Sequence, residues 1–225
     1  MQLTDKQRGD FMMKSIIFDL DGVIVFTDMY HYAAWKKLAD SKGIYFDETI
    51  NNRLRGVSRM ESLEIVLEKY EGSPLSGEEK AALAAEKNDC YRKLLSGMKP
   101  DDVSKEVRDT LALLKKRGHR LAIGSSSKNA REILDRVGLI DFFDAISDGN
   151  NISQSKPHPE VFLKAAEYLG VCPGSCVVVE DAYAGIDAAK EAGMTAIAVG
   201  DAASYEKADY VLEMFSDLAE IKMNY

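Results

Sequence analysis

Apolar and polar positions alternate along this chain in two different ways. After Gly97, short apolar runs of strand length alternate with longer stretches of helical periodicity. The predicted helices of this part are residues 105–117, 129–137, 160–169 and 185–191, and the predicted strands are residues 120–124, 145–147, 176–179, 195–199 and 210–212. Repeated strand–helix units with apolar strands predict a parallel sheet that is covered by helices on both faces.

The part of the chain before Gly97 has a different pattern. One apolar run, Ile16-Ile17-Phe18, is predicted to be the first strand of the same sheet. The following residues show helical periodicity and no convincing strand, with predicted helices at residues 30–42, 51–70 (interrupted at 55–59) and 76–95. We therefore predict an α/β fold: a Rossmann-like doubly wound parallel sheet core of residues 12–27 and 98–225, with an inserted all-helical cap of residues 28–97. Residues 1–11 are polar and are predicted to be a disordered or frayed leader.

Composition narrows the possible partners and compartments. The 225 residues carry a net charge of -8, which argues against binding to nucleic acid or to an anionic membrane surface. No apolar run is long enough to span a bilayer, and the first residues do not form the apolar region of a signal peptide. Cys172 and Cys176 have no second pair with which to form a zinc site, and with Cys90 they fit a reducing compartment. We expect a cytoplasmic monomer.

Candidate chemistry begins at the end of the first predicted strand, in the sequence Asp19-Leu20-Asp21-Gly22. Alternate residues start on the same side of an extended chain, so both carboxylates can converge on one point while Leu20 faces the core. One carboxylate could then act as a nucleophile or metal ligand while the other transfers a proton. Taken alone, the sequence is more typical of an acidic turn that caps the next helix.

Polar groups follow three further strands. Ser125 and the residues up to Asn129 lead from a strand into a helix, where hydroxyl and backbone N–H groups can bind phosphate, although an ordinary helix cap is the simpler interpretation. Lys156 precedes Pro157-His158-Pro159; a surface lysine is the default interpretation, but a proline-rich loop can also fix a positive charge in place. Glu180 and Asp181 suit a hard divalent cation, with a helix cap as the alternative.

In a parallel sheet, these strand ends all lie at the carboxyl edge, where open α/β folds bind their ligands. Carboxylates, a hydroxyl and a lysine together provide what phosphoryl transfer requires: a nucleophile, a metal site, an acid/base and donors for the phosphoryl oxygens. The combination favours a phosphoryl-transfer site over four separate structural roles.

The four segments resemble the motifs of the haloacid dehalogenase superfamily. Phe18-Asp19-Leu20-Asp21-Gly22-Val23 is similar to its first motif, Ser125 to its second, Lys156 to its third and Glu180-Asp181 to its fourth. The resemblance spans residues 13–215. Within the superfamily, three other stretches are similar to the sugar phosphomutases: residues 19–35 with Thr27 and His31, residues 56–62, and the pair of segments 87–89 and 127–129.

The resemblance implies a role for each matching position. Asp19 would be the nucleophile that carries the phosphoryl group, and Asp21 the general acid/base. Ser125 and Lys156 would complete the catalytic set by holding phosphoryl oxygens. The implied cofactor is Mg²⁺, with Asp19, Asp21 (through its backbone carbonyl), Glu180 and Asp181 as the metal set. The implied substrate-binding residues are His31, Arg55, Gly56, Val57, Arg59, Lys87, Ser127, Lys128 and Asn129.

The chain also departs from the family pattern. Phe26 stands where the family usually has Asp, and Arg55 stands where many of the phosphomutases have Lys. The first departure bears on the hinge of the cap, and the second bears on the contacts to the sugar.

The function that the resemblance implies is a Mg²⁺-dependent phosphomutase. It would interconvert β-D-glucose 1-phosphate and glucose 6-phosphate through an aspartyl-phosphate and a bisphosphate, with a small sugar phosphate as its partner. The alternative is a sugar or small-metabolite phosphatase on the same scaffold, and cap closure would decide whether water reaches the aspartyl-phosphate. A third reading, a binding module without activity, is disfavoured by the intact set of Asp19, Asp21, Lys156 and Asp181.

Overall fold

A computed structural model describes residues 15–221 of the protein. Within this range the sheet strands are β1 (Ser15–Phe18), β2 (Arg120–Gly124), β3 (Ala145–Ser147), β4 (Cys176–Glu180), β5 (Thr195–Ala198) and β6 (Tyr210–Val211). The α-helices are α1 (Asp28–Ser41), α2 (Glu48–Asn52), α3 (Arg59–Leu67), α4 (Gly77–Leu95), α5 (Lys105–Lys116), α6 (Ala130–Arg136), α7 (Glu160–Leu169) and α8 (Tyr183–Glu191). The predicted leader, residues 1–11, lies outside the described part.

The strands form one sheet in the order β3-β2-β1-β4-β5-β6, and every pairing is parallel. The chain adds strands on one side of β1 as far as β3 and then crosses to the other side with β4. The order therefore reverses between β1 and β4, at the place where open α/β sheets bind ligands. The predicted doubly wound fold class is confirmed.

The sheet is apolar on both faces, as expected for a parallel sheet covered by helices. Alternate residues of β1 face opposite ways: Ile16 and Phe18 pack with one buried cluster, and Ile17 packs with another. The second cluster includes Val161 and Ala165 of α7, and the first includes Leu111 of α5. The central strands are thus fixed between two layers of helices, so their carboxyl ends are held on a rigid base.

Helices α1 to α4 form the helical insertion between β1 and β2. They have an apolar cluster of their own, which includes Trp35, Leu38, Phe46, Leu63 and Leu83. Two of the helices begin with a capping box. The Ser58 and Ser76 side chains each accept a hydrogen bond from the backbone N–H of the glutamate three residues on, and the side chain of that glutamate accepts one from the backbone N–H of the serine. The predicted interruption of the 51–70 stretch at residues 55–59 separates α2 from α3, and Ser58 caps the start of the second helix.

No helix among residues 15–221 is both long enough and apolar enough to cross a membrane.

Candidate active site

The loop after β1 directs two carboxylates out of the sheet. The Asp19 backbone N–H donates to the Val179 carbonyl at 2.9 Å, which extends the β1–β4 pairing by one residue. Leu20 is fully buried, and its carbonyl accepts from two backbone N–H groups further along the loop. Gly22 has a φ of +87°, and a Cβ there would lie 2.0 Å from Asp181 Oδ2. A glycine is needed at this position, since a side chain would collide with the second acidic strand end.

Asp21 is held by Thr27, the residue just before α1. The buried Thr27 hydroxyl donates to Asp21 Oδ1. Burial, and secondarily the negative charge of Asp19, raise the pKa of Asp21 to about 7. The carboxyl is therefore fixed in position, with a pKa well above the usual range of an aspartate.

The end of β4 supplies the second pair of carboxylates. Glu180 is buried, and its Oε2 accepts from the Ala182 N–H at 2.9 Å. Gly185 of α8 packs directly against this side chain, because a Cβ at that position would lie 1.8 Å from Glu180 Oε1. Burial and, less strongly, the negative charge of Asp19 raise the pKa of Glu180, whereas the Lys156 ammonium lowers it. The net effect is a rise in the pKa. Burial, followed by the charges of Glu180 and Asp19, raises the pKa of Asp181 to about 9.

Lys156 joins the two strand ends. Its Nζ lies 2.5 Å from Asp19 Oδ1 and 2.5 Å from Glu180 Oε1, and its side chain is 1% exposed. Burial alone would lower its pKa, but the charges of Asp19 and Glu180 raise it above the usual range. Lys156 is therefore a buried, permanently charged ammonium group beside Asp19.

Three of these carboxylates are close enough to bind one cation. One oxygen from each of Asp19, Glu180 and Asp181 lies within 4.8 Å of the others. All three ligands are oxygens, the type that Mg²⁺ prefers. Lys156 compensates only part of their charge; burial first, and then the neighbouring carboxylates, raise the pKa values of Glu180 and Asp181. The cluster fits a divalent cation; the Asp21 side chain, bonded to Thr27, is outside it.

The loop after β2 places polar side chains around the cavity that Asp19 and Asp21 also line. Ser125 is buried, and its hydroxyl accepts from the Ser127 N–H at 3.1 Å. Ser127 in turn accepts from the Asn129 N–H, and the Asn129 amide donates to Asn88 of α4 at 3.0 Å. Lys128 is exposed on the same loop. Neither Ser127 nor Asn129 is a simple helix cap: the first orders the loop and the second contacts the insertion.

On the insertion side, Lys87 is buried among aromatic rings. Its Nζ lies 2.9 Å from His31 Nδ1, and 4.7 Å from the ring centroids of both Trp35 and Tyr91. Burial, and secondarily the charge of Arg59, lower the pKa of Lys87 to about 7. Burial and then Lys87 hold the pKa of His31 well below its usual range. The site thus contains an amine that titrates near neutrality.

The insertion covers the carboxylates with the loop that precedes α3. Arg55, Gly56, Val57 and Arg59 all line one cavity of about 1130 Å³ together with Asp19, Asp21, Lys156 and Asp181. His31, Lys87, Ser125, Ser127, Lys128 and Asn129 line it as well. Every candidate residue named from the sequence therefore faces the same space, whereas their individual roles stay predictions.

Four groups of the site carried no predicted role. Thr27 belongs to the opening motif without a stated role, and its hydroxyl donates to Asp21. Asp28 and Asp201 bind Arg55, and Tyr91 stacks on His31 with ring centroids 4.0 Å apart. No sequence signal pairs positions as distant as 55 and 201.

A protein-family model described as "Hydrolase: haloacid dehalogenase-like hydrolase" matches residues 13–193 of the chain. The chain is 43% identical over 212 residues to the β-phosphoglucomutase of Bacillus subtilis, covering 92% of each protein. It is 33% identical over 187 residues to the "Phosphorylated carbohydrates phosphatase" of Thermotoga maritima, covering 82% of this chain and 84% of that protein.

A solved structure is similar along nearly the whole chain. The crystal structure of the β-phosphoglucomutase of Clostridium difficile superposes with a TM-score of 0.85 and 41% identity, covering 92% of this chain and 93% of that chain. Similarity of sequence and of fold thus agree.

Proposed function

Because the chain belongs to the haloacid dehalogenase-like hydrolase family, we propose from that premise that it is a Mg²⁺-dependent β-phosphoglucomutase. The reaction would interconvert β-D-glucose 1-phosphate and glucose 6-phosphate. The observation that carries the proposal is the convergence of Asp19, Asp21 and Lys156 beneath a polar cavity that the insertion closes. Carboxylate, acid/base and ammonium are the groups that phosphoryl transfer between oxygens requires.

Asp19 is proposed as the nucleophile. A carboxylate oxygen attacks the phosphorus of the donor, an O–P bond forms to Asp19, and the bond from phosphorus to the leaving oxygen breaks. Lys156 fixes the Asp19 carboxylate from one side at 2.5 Å and provides a positive charge for the oxygens of the transferring group. Ser125, buried at the end of β2, is proposed to donate to the same oxygens.

Asp21 is proposed as the acid/base. It gives a proton to the leaving oxygen when Asp19 is phosphorylated, and it takes the proton of the sugar hydroxyl that attacks the aspartyl-phosphate in return. Thr27 supports this role by holding one carboxylate oxygen, which leaves the other for the substrate. Two transfers follow one another, and between them the bisphosphate reverses its orientation in the site. Together they move the phosphoryl group from one sugar oxygen to the other.

Asp19, Glu180, Asp181 and the Asp21 backbone carbonyl are proposed to hold Mg²⁺. When bound there, the ion would neutralise charge on the phosphoryl oxygens as they approach the carboxylates. The clustering of three carboxylate oxygens within 4.8 Å supports this assignment.

Residues 28–97 are proposed to act as the cap. Arg59 can bind the phosphate that is not being transferred through two parallel hydrogen bonds, and Lys87 with His31 would complete the cap side of the pocket. Ser127, Lys128 and Asn129 would bind the same phosphate from the sheet domain, with Gly56 and Val57 contacting the sugar. Binding energy from this remote end would favour closure and exclude water.

A second candidate is a sugar phosphatase, which the Thermotoga maritima relative favours. The two are separated by incubating the protein with Mg²⁺, β-glucose 1-phosphate and a trace of β-glucose 1,6-bisphosphate. We expect glucose 6-phosphate as the main product. Release of inorganic phosphate as the main product would contradict the mutase and support the phosphatase.

A further inference from the structure

Arg55 links the helical insertion to the sheet domain through two ion pairs. Its guanidinium donates to Asp28 Oδ2 at 2.9 Å and to Asp201 Oδ2. Asp28 is the first residue of α1, and Asp201 follows β5, 146 positions after Arg55. One side chain therefore connects the insertion loop, the start of the insertion and the carboxyl edge of the sheet.

The two ion pairs lie beside a close contact between the same parts of the protein. Gly56 has a φ of +74°, and a Cβ there would lie 3.3 Å from the Ala182 side chain and 3.5 Å from that of Ala184. Ala182 directly follows Glu180 and Asp181 in the chain. The loop of residues 55–59 is thus packed against the segment that carries the proposed metal ligands.

The strength of these ion pairs suits a contact that breaks and reforms. The side chains of Arg55, Asp28 and Asp201 are 31%, 47% and 73% exposed. Ion pairs with this much exposure are weak and are screened by salt. Such pairs can favour a closed position of the loop without preventing the opening that substrate entry requires.

We propose that Arg55 is a positioning residue: by pairing with Asp28 and Asp201, it holds the 55–59 loop closed over Asp19 and Asp181. The proposal rests on the proposed function only in its consequence, which is that closure keeps water from the aspartyl-phosphate while a sugar hydroxyl attacks. Two acidic residues outside the catalytic set, Asp28 and Asp201, then determine how often the phosphoryl group is lost to water.

The test measures hydrogen–deuterium exchange of residues 53–58 in the ligand-free protein. The variant is Asp201→Ala, and the matched control is Asp109→Ala, which removes another exposed ion pair, Lys105–Asp109, that lies within α5 alone. We expect several-fold faster exchange in Asp201→Ala and still faster exchange in Asp28→Ala/Asp201→Ala, with no change in the control. Added NaCl should speed exchange in the wild type more than in Asp201→Ala, because the pair it screens is absent from the variant.

An activity measurement adds the consequence for catalysis. Asp201→Ala should release several-fold more inorganic phosphate for each glucose 6-phosphate formed, while phosphorylation of Asp19 by acetyl phosphate stays unchanged, since that small donor does not need the closed loop. Wild-type exchange rates in Asp201→Ala, or equal effects in Asp109→Ala, would overturn the positioning role. If exchange is faster but the wild type forms no glucose 6-phosphate, only the proposed function fails.

Discussion

Asp19 and Asp21 share a loop, yet their surroundings differ, as the different roles proposed for them require. The ammonium of Lys156 lies 2.5 Å from Asp19 and keeps that carboxylate beside a positive charge. Asp21 is instead bonded to a neutral hydroxyl, that of Thr27, and faces the cavity. A carboxylate that is paired with a cation suits nucleophilic attack, whereas one held by a hydroxyl can exchange a proton.

The variant Asp21→Asn separates the two roles. It should lose about 10²–10⁴-fold in transfer between sugar oxygens, the usual contribution of a positioned acid/base. The phosphorylation of Asp19 by acetyl phosphate should fall much less, because an acyl phosphate needs no proton on its leaving group. Stopped-flow kinetics with each donor measures the contrast. Equal losses for both donors would show that Asp21 acts on the metal or on Asp19 instead.

Burial of the Lys87 ammonium lowers the stability of the folded protein, while the same group is proposed to bind the sugar phosphate. The ammonium is 3% exposed and its pKa falls to about 7, so the cost of burying it is on the order of a few kcal/mol. Lys87→Met should therefore raise the melting temperature while weakening productive binding of the sugar phosphate.

The stabilisation should depend on pH in a defined direction. Lys87 has a folded pKa below its unfolded value, so its cost is complete below about pH 7, falls as the pH rises from there, and is lost above 10.5, where both states are neutral. Thermal unfolding of the wild type and of Lys87→Met at about pH 6 and about pH 9 tests this. The increase in melting temperature caused by Lys87→Met should be larger at about pH 6. A gain that grows with pH would mean that Lys87 is not buried as a charge.

The packing of α8 against the end of β4 requires a glycine, because a larger residue would collide with Glu180. At the start of α8, Gly185 packs against Glu180, whose carboxylate is already held by Lys156 and by the Ala182 N–H. The glycine gives the helix no stabilising side chain, but it allows the helix to approach Glu180, one of the proposed metal ligands, closely.

Gly185→Ala should displace Glu180 and so lower both Mg²⁺ affinity and stability. Overpacking of this kind costs about 1–3 kcal/mol. The control is Gly77→Ala at the start of α4, where nothing lies within 4 Å of the added Cβ, and this change should be neutral or slightly stabilising. Calorimetric Mg²⁺ titration and thermal unfolding measure both effects. Unchanged Mg²⁺ affinity in Gly185→Ala would remove Glu180 from the proposed metal set.

The sequence predicts the strands and their common edge because each signal is local. An apolar run that ends in a polar residue marks a strand end, and the parallel topology then brings Asp19, Ser125 and Glu180 to one edge. The break at residues 55–59 is predicted as well, and it is where Ser58 caps the start of α3. Contacts between the insertion and the sheet, such as Arg55–Asp201 and Asn129–Asn88, depend on how the two parts meet and leave no periodic trace in the chain.

Across the protein, the fold divides the work between a rigid sheet and a covering insertion. The sheet, fixed between two buried layers, carries the proposed reacting carboxylates at its edge, and the insertion contributes Arg59, Lys87 and His31 to the lining of the same cavity. Phosphoryl transfer to a sugar rather than to water requires both walls to act together.

The most direct test follows the phosphoryl group itself. The protein is phosphorylated with acetyl phosphate and Mg²⁺, and mass spectrometry locates the added group. The isolated phosphoprotein is then mixed with β-glucose 1-phosphate or with buffer alone. We predict that Asp19 carries the group, that the sugar removes it far faster than buffer does, and that β-glucose 1,6-bisphosphate is the product. Phosphate on another residue, or loss to water at the same rate with and without the sugar, would contradict the account.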